Sequence, residues 1–401
     1  MTKFRELCGR LALLALLVAS MQAPAADIAA ELRAAIATQR ALPRAAQLPR
    51  SAFLEGRGLA AVRLSPAGDY VAYLREQGES RSLFLLPTAG GKPRVLVART
   101  QAEQLFWSRD GRWLFLRGSK SLASVSLDGR AGVRVPMGGA ERRRAMKIDP
   151  SQPAAVLLQE RVSAGKGERW RIVRMDMHGK RSVLREDPRW IHDVALDARG
   201  RIVALARFEG DHDALHRVLP NGSLREVLRL APMERLNLLA TLPDGSLLME
   251  GNPGSRVPAG NFRRVLRLTA DDTLQTLHED PRREADLDEV VVDPRTSMPL
   301  AASYRSTIAA TYGIGDAQAV VAGIARQFPG RDIAVQAGSG PGGQWLVSER
   351  APTLRDPRWH LFDPRTGQAR RILAEAATTA NSPTDARLSR RRTAAGLAST
   401  G

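Results

Sequence analysis

A short phrase, a tight turn followed by an apolar strand, recurs along this chain and constrains its fold more than any other feature. The first copy is LSPAGDYVAYL (64–74), in which Pro66 and Gly68 suit a tight turn and residues 70–74 suit a buried strand. Seven copies lie 41 to 51 residues apart, with turns that end at Gly68, Gly111, Gln152, Gly200, Gly245, Thr296 and Gly343. A unit repeated at this period predicts an array of structural repeats.

Most copies are followed by a second segment that has the pattern strand, turn, strand. These segments are 82–97, 121–135, 169–185, 215–230, 262–277 and 359–373. Their turns, such as AGGK, LDGR and PNGS, place glycine where a tight hairpin needs it. Each unit therefore has about four short antiparallel strands, which is typical of a β-propeller blade. We predict an all-β fold, a seven-bladed β-propeller of four-stranded blades over residues 51–375.

The closure of the ring follows from the same pattern. A blade cannot bury both of its faces alone, so each blade must pack against two neighbours. No spare strand is evident before Phe53 or after Leu373. We therefore expect the ring to close without a strand exchanged between the first and last blades.

Two segments have helical periodicity instead. In the sixth unit, residues 314–328 replace the expected hairpin, with apolar residues at helical spacing before Pro329 and Gly330. We predict a helical insertion in blade six that either covers an edge or docks another domain or chain. Residues 27–50 are predicted to form a short N-terminal helix and linker. We expect both 27–42 and 314–328 to expose apolar surface.

The two ends of the chain predict export and disorder. Residues 1–26 have the pattern of a signal peptide: basic residues, the apolar run LALLALLVA (11–19), then small residues. We therefore expect a periplasmic or secreted protein with no membrane span after cleavage. Residues 376–401 are rich in Ala, Thr and Arg without apolar periodicity, and are predicted to be a disordered tail.

Composition argues against several kinds of site. The formal net charge is +18, but the arginines are scattered and the one dense run, ERRR (141–144), is short, so we do not expect nucleic-acid binding. The one cysteine, Cys8, lies in the predicted signal peptide. The mature chain would then have neither disulfides nor thiolate metal sites.

The strongest candidate for a metal site is EGDHDALH (209–216). It holds His212 and His216 with Asp211 and Asp213, and two histidines four apart could share a metal on a helix. The segment joins two predicted strands, however, where a solvated loop is the favoured interpretation. The other four histidines, His178, His192, His278 and His360, are isolated in the sequence and are expected at surface or half-buried positions.

Two other segments resemble ligand sites only superficially. The acidic segment 280–289 lacks the alternating Asp and turn glycine of a calcium loop. The segment AGSGPGG (337–343) precedes a strand and lacks the lysine and helix of a phosphate loop. We predict no catalytic, metal-binding or cofactor-binding residues.

Four stretches resemble the propeller domain of prolyl-oligopeptidase-type serine peptidases, in the acylaminoacyl-peptidase and dipeptidyl-aminopeptidase branch. These are 48–74, 291–304, 324–349 and 356–373, in the usual order and spacing. The resemblance implies a gating propeller followed by an α/β-hydrolase domain that carries the Ser, Asp and His in that family. This sequence contains no G-x-S-x-G, and its nearest look-alike has Ala337 and Pro341 where the glycines would stand. We therefore carry over no catalytic residue.

Three classes of function follow. The first is an exported, non-catalytic propeller, a truncated or split peptidase homologue that binds peptide or a partner domain such as a separate α/β-hydrolase domain. The second is an independent periplasmic protein-binding propeller, like that of the Tol system. The third is a propeller enzyme with an active site in its central channel, which the scattered histidines disfavour. We expect the chain alone to hydrolyse neither peptides nor esters.

Overall fold

The computed structural model describes residues 29–38, 40–41, 58–77, 79–138, 142–164, 167–254, 262–339, 343–351, 354 and 356–373. The chain divides into two compact units, Met1–Leu54 with Ala380–Gly401, and Glu55–Thr379. The predicted signal peptide and C-terminal tail lie outside the described residues. Among the residues that are described, no helix combines the length and hydropathy that crossing a bilayer requires.

In the first unit the structure describes one helix, α1 (29–41, residue 39 excepted). The predicted N-terminal helix is therefore confirmed. Leu32 and Ile36 are 60% and 42% exposed, so this helix exposes apolar side chains as expected.

The second unit is the predicted seven-bladed propeller. Blades 1 to 3 contain β1 (Leu59–Leu64), β2 (Tyr70–Gln77), β3 (Ser80–Pro87), β4 (Arg94–Thr100); β5 (Gln104–Trp107), β6 (Trp113–Arg117), β7 (Ser121–Ser126), β8 (Ala131–Pro136); and β9 (Arg143–Ile148), β10 (Ala155–Ala164), β11 (Gly167–Asp176), β12 (Arg181–Asp187). Blades 4 and 5 contain β13 (Ile191–Leu196), β14 (Ile202–Phe208), β15 (Asp213–Val218), β16 (Leu224–Arg229); and β17 (Leu236–Thr241), β18 (Leu247–Gly251), β19 (Arg264–Leu268), β20 (Leu274–His278). Blades 6 and 7 contain β21 (Asp286–Val292), β22 (Pro299–Arg305), β23 (Ala309–Gly313); and β24 (Asp332–Ala337), β25 (Trp345–Arg350), β26 (Arg358–Asp363), β27 (Gln368–Leu373).

The core consists of seven apolar clusters, each between two neighbouring blades. Strand β2 shows why the repeated phrase is apolar at consecutive positions. Its Ala72 and Leu74 pack toward blade 2, whereas Val71 and Tyr73 pack toward blade 7. Since successive side chains of a strand point to opposite faces, a blade with two buried faces needs apolar residues at every position.

Blade 6 differs from the predicted four-stranded pattern. It has three strands, and a 3-10 turn (Gly315–Ala317) leads into helix α2 (Gln318–Gln327) in place of the fourth. The helical insertion is confirmed, but β23 is retained, so only one strand of the expected hairpin is replaced. The expected exposed apolar surface is limited to small side chains here: Ala319, Ala322 and Ala325 are exposed, whereas Val321 and Ile324 are buried in the cluster between blades 6 and 7.

The ring closes between blade 7 and blade 1, and each described sheet consists of consecutive strands of the chain. Gln336 of β24 accepts a hydrogen bond from the Leu64 N–H and donates one to the Val62 carbonyl, both at 3.0 Å. Beside them, the Ser339 N–H donates to the Pro66 carbonyl at 2.7 Å. Among the described strands none is exchanged between the first and last blades, as predicted.

Candidate functional site in the propeller lumen

The first strand of each blade lies innermost, and most of these strands contain a β-bulge. The pairing with the second strand shifts register in β1, β9, β13, β17 and β21. In four of the five, the residue immediately after a bulge is charged: Arg63, Lys147, Asp193 and Glu289. Bulges bend a strand and redirect its side chains, so they can turn charged groups into the central lumen.

Two of these four charges pair with each other. The Lys147 Nζ lies 2.6 Å from Asp193 Oδ1 and 2.6 Å from the Leu238 carbonyl oxygen, and it also donates to the Val194 carbonyl at 3.1 Å. Asp193 Oδ2 accepts from the Leu238 N–H at 2.9 Å. The pair therefore connects the inner strands of blades 3, 4 and 5, and we assign it a structural role.

The other two charges, Arg63 and Glu289, remain unpaired. Arg63 Nη1 donates to the Val62 carbonyl at 3.0 Å, and within the described part of the chain neither side chain forms an ion pair. Both side chains are exposed although neighbouring blades flank their strands, so their exposed surface faces the lumen. Blade 7 separates blades 1 and 6 around the ring, and the two charges act on each other electrostatically without direct contact.

The protein environment changes the ionisation of both groups. Although both side chains reach solvent, the surrounding wall of the lumen partly desolvates them. This raises the pKa of Glu289, and Asp288 and Glu250 add to the rise, whereas Arg63 and Arg350 act in the opposite direction. Burial lowers the pKa of the Arg63 guanidinium, which nevertheless stays protonated at neutral pH. Arg350 is the last residue of β25. We call Arg63, Glu289 and Arg350 the lumen cluster; Glu250 of β18 also acts on Glu289, so two carboxylates accompany the two cations.

One opening of the lumen is crossed by a side chain. We define the turn face as the side where the first and second strands of each blade join, and the loop face as the opposite side. On the turn face, Arg109 of blade 2 donates to the Arg295 carbonyl of blade 6 at 3.1 Å. These blades are not neighbours, so the hydrogen bond spans the opening.

The predicted metal candidates do not converge. His212 Nδ1 lies 2.5 Å from Asp211 Oδ1, whereas His216 Nε2 contacts Glu209 Oε1 at 3.1 Å. His216 lies on β15 and His212 immediately precedes that strand, so the two histidines do not share one face of a helix. In the regions that the structure describes, no three His, Cys, Asp or Glu side chains are grouped to hold a metal ion.

The acidic segment and the glycine segment have local structural roles. Asp280 accepts hydrogen bonds from the backbone N–H groups of Arg282, Glu284 and Ala285, so it stabilises a turn. Gly338, in the turn after β24, lies against Gly68 of blade 1; a Cβ at Gly338 would be 3.2 Å from the Gly68 Cα. Residues 340–342 of that turn lie outside the described residues.

Sequence reasoning missed an aromatic patch on the loop face. The ring centroid of His192 lies 4.1 Å from that of Trp190. The ring centroid of Trp170, on β11 of blade 3, lies 6.0 Å from that of Trp190. His192 Nε2 contacts Asp213 Oδ1 at 2.6 Å, and burial lowers the pKa of His192 while Asp213 opposes that change. Only Trp190 could have been suspected, as an apolar residue in a connecting segment.

The patch continues over blades 4 and 5. Four exposed large apolar residues lie on this face, three of them in connections and Phe208 at the end of β14: Trp190, Phe208, Met233 and Phe262. Met233 is 82% exposed. We call these four residues the loop-face arc.

Comparisons with known proteins support the fold alone. No protein-family model matches the chain, and no curated protein matches it. A puromycin-hydrolyzing peptidase from Mycobacterium tuberculosis is 15% identical with a TM-score of 0.54, covering 85% of this chain and 57% of that one. The acylaminoacyl peptidase of Pyrococcus horikoshii is 12% identical with a TM-score of 0.51, covering 80% and 53%.

An isolated domain matches over its whole length. The β-propeller domain of the Trilobed protease from Pyrococcus furiosus, described as having an open velcro topology, is 11% identical with a TM-score of 0.51; the match covers 80% of this chain and 100% of that domain. The chain thus spans about half the length of the two whole peptidases above. The predicted resemblance to the propeller domains of prolyl-oligopeptidase-type peptidases is confirmed at the level of fold.

Proposed function

We propose that this chain is an exported, non-catalytic β-propeller that binds peptides or a partner domain, as a gating propeller of a peptidase does. The observation that carries the proposal is the lumen cluster, whose Arg63 and Glu289 point into the lumen without an ion pair to any described residue. Charged groups that are held apart in this way can bind the charged and polar groups of a peptide.

The surroundings of the histidines support the non-catalytic part of the proposal. Hydrolysis by a serine needs a base in contact with that serine. In the described part of the chain, no histidine ring nitrogen contacts a serine hydroxyl: those of His192, His212, His216 and His360 contact carboxylates, and His278 contacts the Tyr304 hydroxyl. Export rests on the signal-like pattern of residues 1–26.

A second candidate is an independent periplasmic propeller that binds a protein on its loop face. The loop-face arc supports this function, because several large apolar residues exposed on one face commonly mark an interaction site. The two candidates differ in where the ligand contacts the propeller: in the lumen or on the loop face.

Labelling with a fluorophosphonate, combined with assays on acyl-peptide and dipeptidyl substrates, tests the proposal. We expect no labelled serine and no turnover by the purified mature chain. Labelling of one serine in stoichiometric amount, abolished when that serine is mutated, would contradict it. A parallel retention assay with peptide pools tests binding, and the variant Trp190→Ala separates the two candidates, because only loop-face binding depends on it.

A further inference from the structure

We propose that the lumen cluster is a binding site for a carboxylate group of a peptide, with Arg63 as the principal ligand. This inference rests on the proposed function and specifies which chemical group of the peptide the lumen recognises. The carboxylate can belong to the C-terminus or to an Asp or Glu side chain, and the experiment below distinguishes the two.

The two arginines of the lumen cluster lack ion-pair partners, which favours the binding of an anion. Lys147 and Asp193 neutralise each other at 2.6 Å, so they leave no net charge on their part of the wall. Glu289 and Glu250 offset the charges of Arg63 and Arg350, but among the described residues neither guanidinium has an ion-pair partner. A carboxylate from a ligand would supply that partner, and arginine can bind it through two parallel hydrogen bonds.

The backbone holds Arg63 toward the lumen at a conformational cost. The bulge in β1 lies between Ala60 and Arg63, and Ala61 within it has a φ of 48°. A residue with a Cβ rarely adopts this left-handed conformation, and such residues cluster at functional sites. Gln336 donates to the Val62 carbonyl and accepts from the Leu64 N–H, and so fixes the strand on both sides of Arg63.

The two ends of the lumen are not equivalent for a ligand. The hydrogen bond between Arg109 and the Arg295 carbonyl crosses the opening at the turn face. Arg350 lies at the other end of its blade, because β25 runs from the turn face to the loop face. A peptide carboxylate therefore approaches Arg63 from the loop face, past Arg350.

Retention of peptide pools by the purified mature chain tests the site. We use four random-sequence hexapeptide pools, as free acids or C-terminal amides, each made with or without Asp and Glu, and measure retention by ultrafiltration and mass spectrometry. The variants are Arg63→Met and Glu289→Gln, with Arg130→Met as the matched control. Arg130 is an exposed arginine in a turn of blade 2, paired with Asp128 outside the lumen.

We expect the acid pool without Asp and Glu to be retained about tenfold better than its amide, equivalent to one strong charged hydrogen-bonded contact. Arg63→Met abolishes this difference, Glu289→Gln increases retention of acids, and Arg130→Met changes nothing. Arg63-dependent retention of amides that contain Asp or Glu supports the site and assigns the ligand to side-chain carboxylates. If Arg63→Met does not fold, the increase with Glu289→Gln decides the question.

Two negative outcomes are distinguishable. Peptides retained equally as acids and amides, with or without Asp and Glu, overturn the carboxylate site but leave the proposed peptide binding intact. If the wild-type chain retains none of the four pools, both the carboxylate site and the proposed peptide binding are overturned.

Discussion

The side-chain amide of Gln336 lies beside Leu64 as a peptide group of a neighbouring strand would, with Oε1 3.0 Å from the Leu64 nitrogen. Its Nε2 completes the pairing by donating to the Val62 carbonyl. Blade 7 thus binds the inner strand of blade 1 through one side chain. This contact helps to close the ring where no strand is exchanged.

Gln336→Leu should weaken this closure. The variant leaves the Leu64 N–H and the Val62 carbonyl without the partners they have now, at a cost of about 1–3 kcal/mol for each buried group. We expect a lower melting temperature and faster hydrogen exchange in β1 and β24 than elsewhere.

Gln327→Leu is the matched control. Gln327 of α2 likewise donates to the Gly367 carbonyl and accepts from the Ala369 N–H of blade 7. Gln327 is exposed and does not contact blade 1. Its loss should leave exchange in β1 unchanged. Equal exchange in β1 for both variants would contradict the role assigned to Gln336.

Lys147→Met should destabilise the propeller through Asp193. The largely buried carboxylate loses its cation, which typically costs about 3–5 kcal/mol for a buried pair. Adding Asp193→Asn to the same chain should restore part of that loss, because no charge is then left unpaired. Urea unfolding of the two single variants and the double variant measures the coupling. Strictly additive effects would show that the pair is not coupled.

Glu289→Gln should stabilise the fold at neutral pH. Because burial raises the pKa of Glu289 in the folded state, the ionised form destabilises that state once the pH exceeds the folded pKa. This penalty is absent below the unfolded-state pKa of about 4.3. Melting temperatures at pH 7 and pH 4 measure the effect. A stabilisation of equal size at both pH values would contradict the assigned cause.

Leu74→Ala should show that the clusters between blades carry the stability. Leu74 is fully buried between blades 1 and 2, so truncation should cost about 2–5 kcal/mol. Leu32→Ala in α1 removes the same atoms from a side chain that is 60% exposed, and should change stability by less than about 0.5 kcal/mol. Comparable losses, measured by denaturant unfolding, would argue against a core built from these clusters.

The repeat predicted the fold because its cause is local. Strand β2 must be apolar at consecutive positions, and a turn with a glycine must precede it, wherever a blade packs against two neighbours. The helical spacing of Val320, Val321 and Ile324 likewise predicted helix α2. The chain sequence could not reveal that β23 would be kept and only the fourth strand replaced, since that depends on packing against blade 7.

The lumen cluster could not be predicted, because its residues are distant in the chain and share no motif. Arg63 and Glu289 come within electrostatic reach of each other only after the ring has closed. Their direction depends on bulges, and a bulge is decided by the register of two strands and not by the residue type that occupies it. The role of Gln336 could not be predicted either, because a glutamine in a strand has many possible partners.

Peptide retention with analysis of the recovered peptides tests the central claim most directly. Mature chain is incubated with an acyl-peptide pool, and the bound and unbound fractions are identified by mass spectrometry. The account predicts bound peptides of unchanged length. Accumulation of cleaved fragments, or no bound peptide above the level of an unrelated basic protein, would contradict it.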